Sequence, residues 1–196
     1  MIKSIFAVEG LVHAGKSTLI GGLSTDQRIL CVPEYIDFTD EGFPGFPKNI
    51  EDARAADLFF LKLEHKRIQL IKESHSIVFL DRSILSIIAY NYAVEGMTDG
   101  KVPCFTRGQQ SFGLHDWIFP QKCIYLNISD EEVDIRHKFE TGQYKSIFLN
   151  RKFNALLRKF YEKEMKVMFP WIELISFDAM RHSQQILSEV RKMLSF

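Results

Sequence analysis

The nine residues Gly10-Leu11-Val12-His13-Ala14-Gly15-Lys16-Ser17-Thr18 constrain this chain more than any other feature. They have the Gly-x-x-x-x-Gly-Lys-Ser spacing of a loop that wraps a phosphate chain. The glycines let the backbone turn around an anion, the amides and the following helix N-terminus offer partial positive charge, and Lys16 adds a whole one. Such a loop works between a buried strand and a helix. Residues 2–8 are an apolar run rich in strand formers, and 16–23 read as a helix, so both flanks are present. A chance match in a glycine turn has no reason to carry them. By position, Gly10, His13, Ala14, Gly15, Lys16, Ser17 and Thr18 are the expected contacts to a nucleotide, with the Ser17 hydroxyl on Mg²⁺. His13 lies where backbone groups reach the phosphates, and reads as a solvent-facing or substrate-edge side chain rather than a catalytic one.

The rest of the chain repeats the alternation of strand and helix. Strands are expected at 29–32, 77–80, 123–128 and 172–177, and helices at 51–73, 84–94, 107–117, 150–168 and from 182 onward. Ile77-Val78-Phe79-Leu80 is apolar throughout, the pattern of a strand buried on both faces. Ser129-Asp130-Glu131-Glu132 has the form of a capping box and opens a further helix. Residues 37–49 mix Phe, Gly and Pro, a loop whose aromatics pack down or line a pocket. The class is therefore α/β, a parallel sheet with helices on both faces. A length of 196 residues and a hydrophobic share of 46% suit a single domain over 1–196 with one site.

Composition excludes several classes of function. Lysine plus arginine and aspartate plus glutamate are 25 each, so the net charge of zero gives no bias toward nucleic acid or a membrane surface. No apolar stretch approaches the roughly 20 residues of a membrane span, and residues 1–8 are too short and too strand-like for a signal peptide. Cys31, Cys104 and Cys123 show no paired spacing and read as reduced thiols, as expected of a cytoplasmic protein. The six histidines show no spacing for a metal or a triad, and those outside the loop read as surface residues.

In open parallel sheets ligands bind past the carboxyl ends of the strands. Glu9, Glu34 and Asp81 fall there. Asp81 ends an apolar run, as an acid that holds Mg²⁺ or positions an acceptor does, with a helix N-cap as its alternative. Glu34 is placed to take a proton from an acceptor hydroxyl, or is a loop carboxylate without a task. Arg82 stands where a guanidinium stabilises charge in phosphoryl transfer, or else pairs with a neighbouring acid. Arg136, Lys138, Lys145, Arg151, Lys152 and Arg158 surround a break at Gly142 between two helices, as in a lid that brings arginines to ATP or in a solvated helical face.

Taken together, these residues resemble the thymidylate kinase and deoxynucleoside kinase superfamily over nearly the whole chain. The resemblance rests on Phe6-Ala7-Val8-Glu9-Gly10 before Gly15-Lys16-Ser17-Thr18, on Pro33-Glu34, and on Asp81-Arg82-Ser83 with Ser86, Ala89 and Tyr90. The strand Ile124-Tyr125-Leu126-Asn127-Ile128 and the segment Phe177-Asp178-Ala179 extend it. It implies a P-loop NTPase fold with a five-stranded parallel sheet in the order 2-3-1-4-5, a helical lid, and an ATP- and Mg²⁺-dependent kinase, often dimeric through its helices. By resemblance Glu34 takes the proton of a nucleoside 5′-hydroxyl, Arg82 lies beside the transferred phosphate, Lys16 and Arg136 serve ATP, and Asp178 lies beside the adenine. Phe59, Phe60 and Glu64 would approach the acceptor base.

The departures bear on the acceptor. No arginine precedes Pro33-Glu34, where thymidylate kinases grip a monophosphate, which favours an uncharged acceptor. No glutamine stands at the usual base-reading place, Val12 replaces a loop acid, and Asp81 replaces the Glu more usual in nucleoside kinases. A nucleoside is the preferred acceptor, then a thymidylate-type monophosphate, then another small molecule. A switch NTPase comes last, because Asn-Lys-x-Asp is absent and Asp81 is followed by Arg82-Ser83.

Overall fold

The protein was analysed as a computed structural model, which describes residues 4–72, 77–106, 117–139 and 146–194. Along the chain run β1 (Ile5–Gly10), α1 (Lys16–Leu23), β2 (Ile29–Val32), α2 (Ile50–Lys72), β3 (Ile77–Asp81) and α3 (Ile84–Met97). They are followed by β4 (Lys122–Asn127), α4 (Asp130–His137), α5 (Arg151–Lys159), α6 (Met165–Met168), β5 (Glu173–Asp178) and α7 (Ser183–Met193). All strand pairs are parallel, in the order β2-β3-β1-β4-β5. The sheet order expected from the resemblance is the one observed.

Alternation along each strand sends successive side chains to opposite faces. Phe6 and Val8 of β1, Phe79 of β3, and Ile124 and Leu126 of β4 point to one face, against Leu19 and Leu23 of α1 and Ile186, Leu187 and Val190 of α7. Phe6 stacks on Phe79 with ring centroids 4.7 Å apart. On the other face Ala7, Val32, Val78 and Leu80 meet Ile71 of α2, while Cys123 and Tyr125 meet Ile84, Leu85 and Ile88 of α3. Both faces are thus covered, and β3 is buried at every residue. Each large apolar side chain so enclosed contributes about 1.5–3 kcal/mol. The consequence for function is geometric: the carboxyl ends of all five strands lie on one edge.

One expectation changes, and two lie partly outside what is described. The segment 150–168 is not one regular helix, because Phe160–Glu164 forms a turn of π-helix between α5 and α6. Residues 107–116 of the expected helix at 107–117, and Gly142 and Lys145 of the expected lid, lie outside the described residues. Ser129 caps α4 as the sequence suggests, accepting from the Glu132 amide at 3.2 Å. The three cysteines are free thiols, with Cys104 and Cys123 buried and Cys31 half-buried. Among the described residues no helix is long and apolar enough to cross a membrane.

Candidate active site

The site grows from the end of β1. Gly10 holds φ at 145° and a Cβ there would lie 2.6 Å from the Leu126 carbonyl oxygen, so the chain can turn off the strand only without a side chain. Gly15 precedes α1 with φ at 90°, which leaves the first amides of that helix facing the loop. Lys16 is buried, and its Nζ donates to the Leu11 carbonyl at 2.7 Å. Burial, reinforced by the Arg82 charge, pulls its ammonium down to about 7 from the ordinary 10.5. A polyphosphate brought into the loop supplies the negative charge that favours the ammonium again. Ser17 and Thr18 are exposed on the first turn of α1.

Next to the loop, β3 ends in Asp81 and the chain turns sharply. Arg82 has φ at 60°, a left-handed backbone in a residue that rarely adopts one. Two bonds hold it: its amide donates to the Val8 carbonyl at 3.1 Å, and its carbonyl accepts from Arg67 Nη2 at 2.8 Å. The turn aims the guanidinium inward. Arg82 Nε donates to Glu34 Oε1 at 2.5 Å, and Nη1 reaches the Gly10 carbonyl at 3.3 Å. Burial would raise the Glu34 carboxyl, yet Arg82 and Lys16 outweigh it and hold Glu34 below the usual carboxylate range. Glu34 is therefore ionised and within reach of the loop.

Asp81 is buried, and its Oδ1 has no hydrogen-bond partner among the described residues. Burial first, and the Glu34 charge second, raise its carboxyl. An unpartnered hard oxygen close enough to Lys16 and Glu34 to feel their charges, with the exposed Ser17 hydroxyl on the adjacent loop, fits the donor chemistry of Mg²⁺. A metal ion there would favour the ionised carboxylate and so oppose both causes of the shift.

A cavity of about 370 Å³ opens from the loop and runs between α2 and α3. Its mouth is lined by Gly10, Glu34 and Arg82, and its walls by Phe43, Phe60, Ile87, Tyr90 and Leu157. Phe60, one of the residues the resemblance sets near the acceptor base, lines this cavity, with Phe43 of the loop at 37–49 packed on it at 5.3 Å. Glu64 does not line the cavity. It is buried and paired with Arg67 at 3.2 Å, because the same residue that anchors the Arg82 turn needs a counter-charge.

On the opposite side of the loop lies Arg136 of α4. It donates to the His13 carbonyl at 3.0 Å, to the Ala179 carbonyl at 2.8 Å and to Glu132 at 2.7 Å. It thereby joins the phosphate loop, α4 and the turn after β5. Asp178 ends β5 and accepts from the Met180 amide at 2.9 Å, so its carboxylate shapes its own turn. Of the other lid cations, Arg151 bonds Glu131 and Asp134, Arg158 bonds Asp130 and the Ile128 carbonyl, and Lys152 lies 3.8 Å from Asp99. Those three tie helices and loops to one another rather than reaching the phosphate loop, and Lys138 is exposed.

His13 is buried, which corrects the solvent-facing reading. With φ at 61° it turns back onto α4, and its Nε2 lies 3.2 Å from His137 Nδ1. Of the other described histidines, His137 is half-buried, whereas His65 and His182 are exposed as expected, His182 capping α7 by accepting from the Gln184 amide.

Three residues without an assigned task organise the site. Glu9 is fully buried and accepts from the Ser83 amide and hydroxyl, the Ser86 hydroxyl and the Tyr161 hydroxyl, at 2.5–2.9 Å. It binds β1 to the start of α3, and Glu-Gly ahead of the loop was its visible signal. Arg67 lies 4.2 Å over the Tyr35 ring as well as on the Arg82 carbonyl. The Glu64-x-x-Arg67 spacing is legible, but its destination is not. Tyr161 was hidden by the π turn that places it.

A parallel 2-3-1-4-5 sheet with a glycine loop before α1, and acids at the ends of β2 and β3, is the fold of the P-loop nucleoside and nucleotide kinases. No protein-family model matches the sequence, and no curated protein matches it. Solved structures do. A thymidylate kinase from Candida albicans superposes with a TM-score of 0.68 at 22% identity, covering 98% of this chain and 91% of that one. A deoxyadenosine kinase from M. mycoides with bound dATP superposes at 0.76 with 18% identity, covering 98% and 99%. The same enzyme with dCMP and dCDP bound gives 0.72 at 18% identity, covering 97% and 98%. Likeness at these identities establishes the shared fold.

Proposed function

We propose that this chain is an ATP- and Mg²⁺-dependent kinase that transfers the γ-phosphate to the 5′-hydroxyl of a nucleoside. The observation that carries the reading is the Glu34–Arg82 pair at 2.5 Å, set between the phosphate loop and the mouth of the cavity. On this reading the ionised carboxylate and the fixed guanidinium serve one reaction. Glu34 takes the proton as the acceptor oxygen bonds to the γ-phosphorus, the bond to the β-phosphate oxygen breaks, and Arg82 with Lys16 stabilises the charge on the transferring group. The loop from Gly10 to Thr18 holds the phosphates, Arg136, bonded to the His13 and Ala179 carbonyls, serves ATP, and Asp178 lies beside the adenine. Ser17 and Asp81 would hold Mg²⁺, which when bound neutralises part of the phosphate charge.

The lining favours an uncharged acceptor. Among its described residues the charged side chains are Glu34, Asp57 and Arg82, and Arg82 is already engaged by Glu34. A monophosphate would meet two carboxylates and no cation to spare. The test is ADP release with ATP and Mg²⁺ across nucleosides and nucleoside monophosphates, repeated with Glu34→Gln. Nucleoside-dependent release that falls about 10²–10⁴-fold in the variant, with the KM for ATP little changed, is the expected result. Release stimulated by monophosphates alone, or undiminished in the variant, would overturn it.

A further inference from the structure

Among the apolar side chains that line the cavity stand several polar ones, and at one place on its α2 and α3 walls two of these bond each other. There Asp57 of α2 and Asn91 of α3, both lining residues, face each other across the space between the helices. Asn91 Nδ2 donates to Asp57 Oδ1 at 2.9 Å. Asn91 lies roughly 10 Å along α3 from its first residue, so this polar end is about a sugar and a flat ring away from Arg82. A phosphate-transfer end, an aromatic and aliphatic middle and a polar far end together match a nucleoside laid along the cavity.

Hydrogen-bond chemistry decides which nucleoside. The bond from Asn91 occupies Asp57 Oδ1, and the half-buried Asp57, a lining residue of the cavity, has a second carboxylate oxygen beside it. An ionised carboxylate accepts and cannot donate. The carboxylate also fixes the orientation of Asn91, whose amino group must face it, which turns the amide oxygen toward other donors. The two side chains thus offer acceptors, and a half-buried acceptor facing apolar walls needs a donor from the ligand. Burial pushes the Asp57 carboxyl up to about 6, and a ligand amino group would offset that cost.

Resting on the nucleoside-kinase reading, we propose that Asp57 and Asn91 read the acceptor base, selecting nucleosides whose base carries an exocyclic amino group and rejecting those with thymine or uracil. Adenine and cytosine present an amino donor, and guanine an amino group beside a ring N–H. Thymine and uracil set carbonyl oxygens on either side of their single N–H, so acceptors would face acceptors.

Acceptor-dependent ADP release by the full chain in mildly alkaline buffer, with adenosine, cytidine, guanosine, thymidine and uridine in ribo and deoxy forms, tests this. ATP affinity is measured separately by equilibrium binding. An amino-bearing base is expected to exceed thymidine and uridine roughly 10- to 100-fold in kcat/KM, and Asp57→Asn to reduce that ratio by a similar factor without altering ATP affinity. A clamp that only joins α2 to α3 would change the unfolding temperature of the variant and leave the base ratio intact, which overturns the inference. So does a wild-type preference for thymidine, while the kinase reading survives. No stimulation by any nucleoside, with ATP binding retained, overturns both.

Discussion

Arg82 carries the sharpest local signal, because a left-handed arginine costs of order 1–3 kcal/mol and persists only where its surroundings hold it. Arg67 and the Val8 carbonyl do so, and the strain aims the guanidinium at Glu34 and the phosphate loop. Asp57 carries a similar cost of another kind. Its folded-state carboxyl titrates near about 6 against the ordinary 3.8, so between those values the folded chain binds more protons than the unfolded chain. Stability therefore declines as pH rises from about 4 to 6, and the loss is complete above that window. Tyr90 and Cys104, each pushed up to about 12 by burial, stay neutral throughout. Asp57→Asn keeps an acceptor for Asn91 and removes the charge. Thermal unfolding across this range should show the variant gaining on the wild type as pH climbs, with a plateau above about 6. A difference independent of pH would contradict the shift.

The π turn at Phe160–Glu164 shows how an element can be bent to a site. Phe153, Leu157, Tyr161, Met165 and Phe169 recur at every fourth position, a spacing longer than the 3.6 residues of an α-helix. One added residue in the turn absorbs the excess. As a result Phe160 enters the core, and Tyr161 stacks on Tyr125 at 4.7 Å while donating to Glu9 at 2.9 Å. Tyr161→Phe deletes a bond to a buried carboxylate and should cost about 1.5–3 kcal/mol in urea unfolding, with an unchanged m-value. A loss near zero would mean that the two Ser hydroxyls and the Ser83 amide satisfy Glu9 alone.

At the scale of the whole molecule, the parallel sheet brings residues from five strand ends to one edge, and Arg136 closes that edge from the side of α4. Its guanidinium joins the phosphate loop through His13, α4 through Glu132 and the end of β5 through Ala179. In the proposed enzyme this junction holds the ATP side rather than the acceptor side. Arg136→Ala is expected to raise the KM for ATP about tenfold while the acceptor KM at saturating ATP stays within about twofold. An increase confined to the acceptor would place the junction in the wrong half of the site.

Much of this was legible in the residues themselves. The phosphate loop, the alternating elements, the buried β3 and the strand-end acids Glu34 and Asp81 follow from local rules, since turn chemistry, periodicity and capping depend on neighbours in sequence. Other features depend on partners far along the chain. The Tyr161 hydroxyl reaches Glu9 across 152 positions, and His13 meets His137 across 124, so neither contact leaves a pattern in either segment. Glu64, set near the acceptor base by the family resemblance, is instead the counter-ion of Arg67, because burial of the guanidinium demanded a nearby carboxylate. Asp57 and Asn91 carry no motif at all. Only the packing of α2 against α3 brought them to one cavity, where they bond each other.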